Sequence, residues 1–484
     1  MWSDRMTEKR RRRIVERLRS ILPAPRSHAR SSKTPLRLPG PRAEPPSPEQ
    51  VALALRELPG FAWLDGAETG HRLCRQPLAV LTVRNGRASI SGPGGSARFA
   101  AGGFDLLEAA YTAWGAAGSG ATLVGYFGYE LGREIEALPT PPADDLGLPD
   151  LHLALYDSTL RWDGRSWTVE ATDAWPGPSP VIEAERILAA ARRRAVPQLP
   201  SGGLARGGIV SRPRRSGFEA AVERIVERIA SGEIFQMNLC RRLEARLPAR
   251  HVWPLYLRLR AASPAERGAY LDLGRGRAVL SISPEVFLTL RSGEVETRPI
   301  KGTRPRGANL REDRALAREL LESEKDRAEL TMIVDVARND LGRVCEAGSV
   351  QLASHAELMT LPTVHHTVST VRGRLRTGTS PADLLRATFP PASITGAPKI
   401  RAMAVIAAEE ERRRGPAMGA LGWLSLGGDL DLAVAIRTAA VARGRAAYHA
   451  GCGIVADSDP EQELAESTAK ARAFLEALGA VETA

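Results

Sequence analysis

The chain is predicted to fold as a mixed α/β (α+β) protein, and three observations carry that expectation. Short segments of strand-like alternation recur between turns rich in glycine and proline. Helical segments with apolar residues every three to four positions lie among them. The hydrophobic content of 43% and charged content of 25% match a soluble globular enzyme. A length of 484 residues admits two or three domains or one large layered unit. No apolar run approaches the ~18 residues that would cross a bilayer, so no membrane span is expected.

Taken in order, residues 1–48 read as a basic, disordered tail: a short helix in "KRRRRIVERLRS", then a Pro/Ser-rich stretch. Residues 1–45 hold eleven Arg and two Lys against four acidic residues, which is +9 of the chain's formal +11. The remainder is nearly neutral, so no nucleic-acid footprint is expected on the body. The tail is read as a solvated extension, with contact to RNA, membrane or an import system left open. Residues 49–200 form a first region of strands ("LAVLTVRNGRASIS", "LHLALYDSTLRW", "SWTVEATDAW"), a strand leading into a helix start ("GATLVGYFGYELGREI") and a helix ("PSPVIEAERILAAARRRAV"). Residues 201–215 read as a linker and 216–478 as the catalytic region. Four scattered cysteines without metal-ligand spacing point to a reducing compartment, the cytoplasm.

The chemistry is concentrated in the second region. "SPEVFLTLRSGEVETRPIKGT" reads as two strands turning at Ser292-Gly293, which brings Glu285 and Lys301 together at the open end. A carboxyl beside an amine suits an acid and a nucleophile, and equally a plain ion pair. "ESEKDRAELTMIVDVARNDLG" is a helix with Asp326 and Glu329 on one face. "DSDPEQELAESTAKARAFLEAL" is another, with Asp459 as N-cap, Pro460 at the first position and Glu463 and Glu466 on one face. Either face could be solvated; if the two converge, their repulsion demands a cation, and oxygen-only ligands point to Mg²⁺. The turn Ser393-Ile394-Thr395-Gly396 opening a helix offers N–H groups to an anion. Arg437 interrupts the apolar strand "LDLAVAIRTAAV" and needs a carboxylate partner, while Gly451 and Gly453 allow backbone to approach a ligand.

In order, "RPIKGTRPRG", "AELTMIVDVARNDLGRV", "TVHHTVSTVRG", "FPPASITGAPKIRAM", "AIRTAAV" and "AGCGIVADSDPEQELAESTAKA" resemble the successive motifs of the chorismate-utilising enzymes. The resemblance covers about residues 220–478, with "YFGYELG" a weaker match in the first region. It implies stacked antiparallel sheets flanked by helices, Mg²⁺ as cofactor and chorismate as substrate. Gln236 in "GEIFQMNL" stands where water-adding members carry a lysine, and Lys301 where the anthranilate-forming branch has a small residue. The first implies an ammonia-using member, and the second the branch that aminates chorismate at C4 on the way to p-aminobenzoate and folate. The anthranilate-forming branch or a secondary-metabolism relative is the alternative.

The same resemblance assigns roles. Lys301 would attack C2, Glu285 would act as general acid, and His366 would line the site. Glu329 and Glu466, with Glu463 close behind, would hold Mg²⁺. Arg437, Lys470 and the amides near Gly453 would hold the substrate carboxylates, with Gln236, Thr395 and Gly396 around them. Ala417 departs from a usually aromatic position, and Trp423 is the candidate to replace it. No amidotransferase cysteine motif is present, so a separate glutamine amidotransferase subunit is expected to supply ammonia.

Overall fold

Strands buried along their whole length, such as Thr122–Phe127, Leu151–Tyr156 and Ala278–Ser283, can only lie inside sheets covered on both faces. The computed structural model describes residues 7–26, 28–36, 44–66, 70–196, 198–199, 201–362 and 364–483. It contains two large sheets, of 13 and 12 strands among the described residues. Pairing is antiparallel except where Glu482–Thr483 runs parallel to Arg206–Arg212.

Ala62, Ala269, Val279, Ala440 and Ala447 from the first sheet pack with Val124, Tyr126, Ala154, Leu421 and Ala433 from the second. The small side chains let the layers stack closely. Helices Pro48–Leu55, Pro180–Ala191, Val252–Ala262 and Pro460–Leu478 contribute the apolar cluster on the first sheet. Helices Glu8–Ile21, Gly103–Trp114 and Pro381–Thr388 contribute the cluster on the second, which Lys399–Glu409 joins from its place against Gln236–Arg246 of the first. The expected architecture of stacked antiparallel sheets flanked by helices is therefore observed. No helix among the described residues is long and apolar enough to cross a membrane.

Five expectations need correction. The basic helix is present as Glu8–Ile21, yet Ile14, Val15, Leu18 and Ile21 are buried, against the helix Gly103–Trp114 among other elements. Arg11 pairs with Glu108 at 3.2 Å. Beyond it, Ser31–Pro35 forms an edge strand on Trp167–Thr172, so these parts of the tail are ordered; residues 1–6, 27 and 37–43 lie outside the described ones. The expected linker contains the strand Arg206–Arg212, paired with Gln236–Arg246. The two regions also interleave, because each contributes strands to both sheets.

The remaining corrections concern crossings between layers. Glu294–Arg298 ends at Pro299, and Ile300–Pro305 pairs with Val364–Arg374, not with the strand after Glu285. The proline cannot donate to the ladder, so pairing breaks there. Likewise "LDLAVAIRTAAV" is two strands: Leu430–Val434 in one sheet and Thr438–Ala442 in the other. A matching crossing separates Ala278–Ser283 from Val286–Arg291, and the two crossings run side by side. Glu285 and Arg437 stand at these corners.

Candidate active site

The corner at 284–285 buries Glu285, whose backbone carbonyl accepts from Val434 N at 3.0 Å. Burial pushes its carboxyl up to about 7, against the Ser393 hydroxyl, the Lys301 charge and the Ile300 N–H, which favour the ionised form. The acid and the amine are therefore neighbours as expected, although the break at Pro299 delivers Lys301 on a third strand rather than on a continuous hairpin. Lys301 donates from Nζ to the Ser393 carbonyl at 3.4 Å.

Gly453 shows how closely the site converges. A methyl built on it would stand 2.6 Å from Gln236 Nε2 and 3.4 Å from both Lys301 Nζ and Glu329 Oε2. Only glycine lets this backbone approach. Gln236 opens its strand, and its Nε2 donates to Glu329 Oε2 at 3.5 Å while its buried Oε1 has no partner among the described residues.

Both acidic helices form, the second with its expected cap. Ser323 caps Glu324–Gly342, and the Asp459 side chain accepts from Gln462 N at 2.9 Å to cap Pro460–Leu478. Asp326 is drawn aside by Arg304 at 3.3 Å, leaving Glu329 to face the second helix. Burial raises Glu329 and Glu463, and the charge of Glu466 raises both further. Against the cost of burial, the Lys470 ammonium at 2.6 Å holds Glu466 below the usual carboxylate range. Lys470 also donates to the Gly451 carbonyl at 3.0 Å.

Of these carboxylates, Glu463 and Glu466 have ligand atoms close enough to share a hard divalent ion, and Glu329 faces them from the other helix. Glu463 Oε2 is buried with no partner among the described residues, its other oxygen being taken by Ser458 Oγ at 2.7 Å. Ligand atoms of Glu463, Glu466 and Cys452 lie within 4.8 Å of one another. Burial raises the Cys452 thiol well above its ordinary value, and it donates to the Glu463 carbonyl at 3.2 Å. It stays protonated, leaving an oxygen-only set of the kind Mg²⁺ prefers.

Arg437 adopts φ of 50°, a left-handed conformation costly for a side chain with a Cβ and typical of functional sites. Among the described residues it makes no ion pair with a carboxylate. Its Nη2 instead points at His366 Nε2, 3.4 Å away. His366 Nδ1 lies 3.1 Å from the Gly302 carbonyl, which can only accept, so Nδ1 carries the proton and Nε2 is free to accept. Burial and then the Arg437 charge push this imidazole down to about 3. His366 is thus neutral near pH 7, with its Nε2 toward Arg437.

The turn at 393–396 is rigid. Thr395 is fully buried and donates to its own turn, with Pro391 O at 3.2 Å and Ala392 O at 3.0 Å; it shapes the site without presenting its hydroxyl to it. Gly396, at φ of 152°, pairs with Met237, and a Cβ there would meet Gln236 O at 2.2 Å. Ala417 is buried, and Trp423 does not replace the missing aromatic: Arg72 and Arg291 occupy its ring at 4.2 and 4.7 Å.

Three residues escaped sequence reasoning. Arg414 is buried and bonds Glu410, the Ile394 carbonyl at 2.7 Å and the Asn238 carbonyl at 2.7 Å, with its guanidinium 4.5 Å above Tyr129 of "YFGYELG". It stands in "ERRRGP", which reads as solvated charge. Lys399 ties Asp340 to the Thr388 and Pro390 carbonyls. Ser393 was visible only as a turn residue.

Clustered carboxylates beside a lysine, a buried acid and an arginine that has no carboxylate partner among the described residues, all at the seam of two stacked sheets, make a site suited to a small anionic substrate. The chain belongs to the chorismate binding enzyme family, whose description matches residues 59–476. It is 42% identical over 360 residues to anthranilate synthase component 1 of Thermus thermophilus, covering 74% of this chain and 77% of that protein. It is 39% identical over 363 residues to aminodeoxychorismate synthase component 1 of Escherichia coli, covering 73% and 76%. Among solved structures, anthranilate synthase component I from Streptococcus pneumoniae superposes with a TM-score of 0.73 at 29% identity, covering 86% of this chain and 92% of that one. The menaquinone-specific isochorismate synthase of Escherichia coli, at 18% identity and a TM-score of 0.70 over 96% and 98% of the chains, shares the fold.

Proposed function

We propose that the chain catalyses the reaction of an aminodeoxychorismate synthase component 1: chorismate plus ammonia gives 4-amino-4-deoxychorismate and water, on the route to p-aminobenzoate and folate. The observation that carries this reading is the placement of the Lys301 amine beside Glu285, at the point where Gln236, Glu329 and Gly453 meet. With its lone pair free, the amine attacks C2 of the ring as the double bond shifts and the C4 oxygen leaves. Glu285, close to half protonated near pH 7, gives that oxygen its proton, so water departs. Ammonia then attacks C4, the double bond returns, and the C2–N bond to Lys301 breaks. Arg437, oriented by His366, and Lys470 bind the substrate carboxylates. Glu329, Glu463 and Glu466 would hold Mg²⁺, which when bound draws the ring carboxylate into place and withdraws electrons from it.

Ammonia has to come from a second protein. All four cysteines are free and buried, and burial raises each thiol, so none suits a glutamine-cleaving nucleophile. The relatives' designation as component 1 fits the same expectation of an amidotransferase partner, in the cytoplasm.

Anthranilate formation is the second reading, favoured by the 42% identity to an anthranilate synthase component. The two products separate cleanly, because anthranilate formation releases pyruvate and 4-amination retains the enolpyruvyl group. Purified enzyme with chorismate, Mg²⁺ and ammonium salt at alkaline pH is expected to give the 4-amino product without pyruvate. Lys301→Ala is expected to lose 4-amination by at least about a hundredfold while retaining its fold. Unchanged 4-amination in that variant rules out the covalent role, and stoichiometric pyruvate from the unaltered enzyme selects the second reading.

A further inference from the structure

Glu285 faces two spaces: the site containing Lys301, and a small cavity behind it lined by Phe287, Thr297, Pro299, Ile333, Ala337 and Ser393 among others. Ser393 joins the two. Its carbonyl accepts from Lys301 Nζ at 3.4 Å, and its side chain lies beside the Glu285 carboxyl, where it favours the ionised form. Yet the buried hydroxyl makes no hydrogen bond of good geometry within the described residues. A buried polar atom left without a partner is costly and calls for a reason.

The turn gives Ser393 little freedom to relax. The next carbonyl, of Ile394, is gripped by Arg414 Nη1 at 2.7 Å, and the preceding one, of Ala392, accepts from Thr395 Oγ1 at 3.0 Å. The acid it faces must pass between two states: protonated before the C4 oxygen leaves, and ionised just after. The Ile300 N–H serves the ionised state from one side. On the Ser393 side the hydroxyl is the available donor. The other charges acting on Glu285 are Lys301, Lys470 and Arg437, and Asp340, lining the same cavity, is neutralised by Lys399.

We propose that Ser393 is a positioning residue that frames nucleophile and acid together, its carbonyl aiming the Lys301 amine and its hydroxyl donating to the Glu285 carboxylate once the proton has left. The hydroxyl, without a partner among the described residues, is then the donor held for the second half of the proton transfer. This rests on the reading of Glu285 as general acid given above.

Ser393→Ala and Ser393→Thr test it, with kcat and KM for chorismate measured across pH 6 to 9 and rates expressed per unit of NH₃. Ser393→Ala is expected to lower kcat about tenfold or more, with KM changed less than about threefold. The alkaline limb of its kcat profile is expected to move to higher pH by about half to one unit, since the ionised acid has lost a donor. Ser393→Thr, which keeps the hydroxyl, is expected to restore both. An alanine variant with the original kcat and pH profile overturns the proposal. A threonine variant as impaired as the alanine one overturns it too, by assigning the position to packing. Should the alanine variant be unstable, Ser393→Cys, nearly the same size and a weak donor, gives the same readout. The limb can be read on whichever product forms, so a failure of the 4-amination reading is distinguishable from a failure of this one.

Discussion

Replacing Arg414 by methionine is expected to unsettle both the fold and the catalytic frame. The side chain is buried, and its ion pair with Glu410 has relative exposures of 1% and 4% on the two partners. Its guanidinium donates to Glu410 Oε2 at 2.9 Å and Oε1 at 2.6 Å, and to the Ile394 and Asn238 carbonyls at 2.7 Å each. Removing one partner of a buried pair leaves the other charge stranded, at about 3–5 kcal/mol. Two buried carbonyls lose a donor, each at about 1–3 kcal/mol. These terms overlap, so about 5 kcal/mol is the working figure. For a chain of this length the unfolding entropy makes that roughly a 5 °C fall in Tm. Arg414→Met combined with Glu410→Leu removes the stranded charge and is expected to recover at least half of the loss. Scanning calorimetry of the three proteins decides the matter. A fall of under about 1 °C in the single variant, or a double variant no better than the single, refutes the reasoning.

Three other outcomes follow from the same geometry. Gly453→Ala is expected to abolish turnover with little change in Tm, because its methyl would stand 2.6 Å from Gln236 Nε2, inside the site; near-normal kcat/KM would contradict that geometry. With Glu285 held near 7 by burial, the rate per unit of NH₃ is expected to be level below that pH and to fall about tenfold per unit above it. The sign follows from the acid being active when protonated, and Glu285→Gln should remove the limb along with most of the activity. Deleting residues 1–22 exposes the partners of Ile14, Val15, Leu18 and Ile21, worth about 6 kcal/mol or more at roughly 1.5–3 kcal/mol per side chain. The truncated protein is expected to melt lower or aggregate in light scattering, whereas a truncation without effect would return this segment to the status of a loose extension.

How much of this was legible in the sequence depended on range. Local signals were dependable: the Ser292-Gly293 turn sets Arg291 opposite Glu294 and Leu290 opposite Val295, and the Asp459-Pro460 cap starts its helix where expected. Glu329 and Glu466 could be singled out because i, i+3 spacing and family motifs mark them. What failed was any feature fixed by distant partners. The stripe of Ile14, Val15, Leu18 and Ile21 is diluted by arginines, and only the opposing helix shows it to be buried. The crossings at 284–285 and 435–437 are invisible in periodicity, since apolar segments flank Glu285 and Arg437 closely on both sides and a single charged residue does not mark a change of sheet. Arg414 looks like its neighbours Arg412 and Arg413 until Glu410 and two carbonyls are found around it.

Because Glu285 and Arg437 sit where adjacent strands leave one layer for the other, they are mounted on the spine of the molecule, not on its covers. Sliding the layers past each other would move the proposed proton donor and the proposed anion holder as a pair, preserving their spacing. Lys301 arrives on a separate strand at the edge of one layer, so the nucleophile can be exchanged without disturbing that spine. A scaffold divided in this way can keep its grip on a substrate while its chemistry is rewritten at a single position.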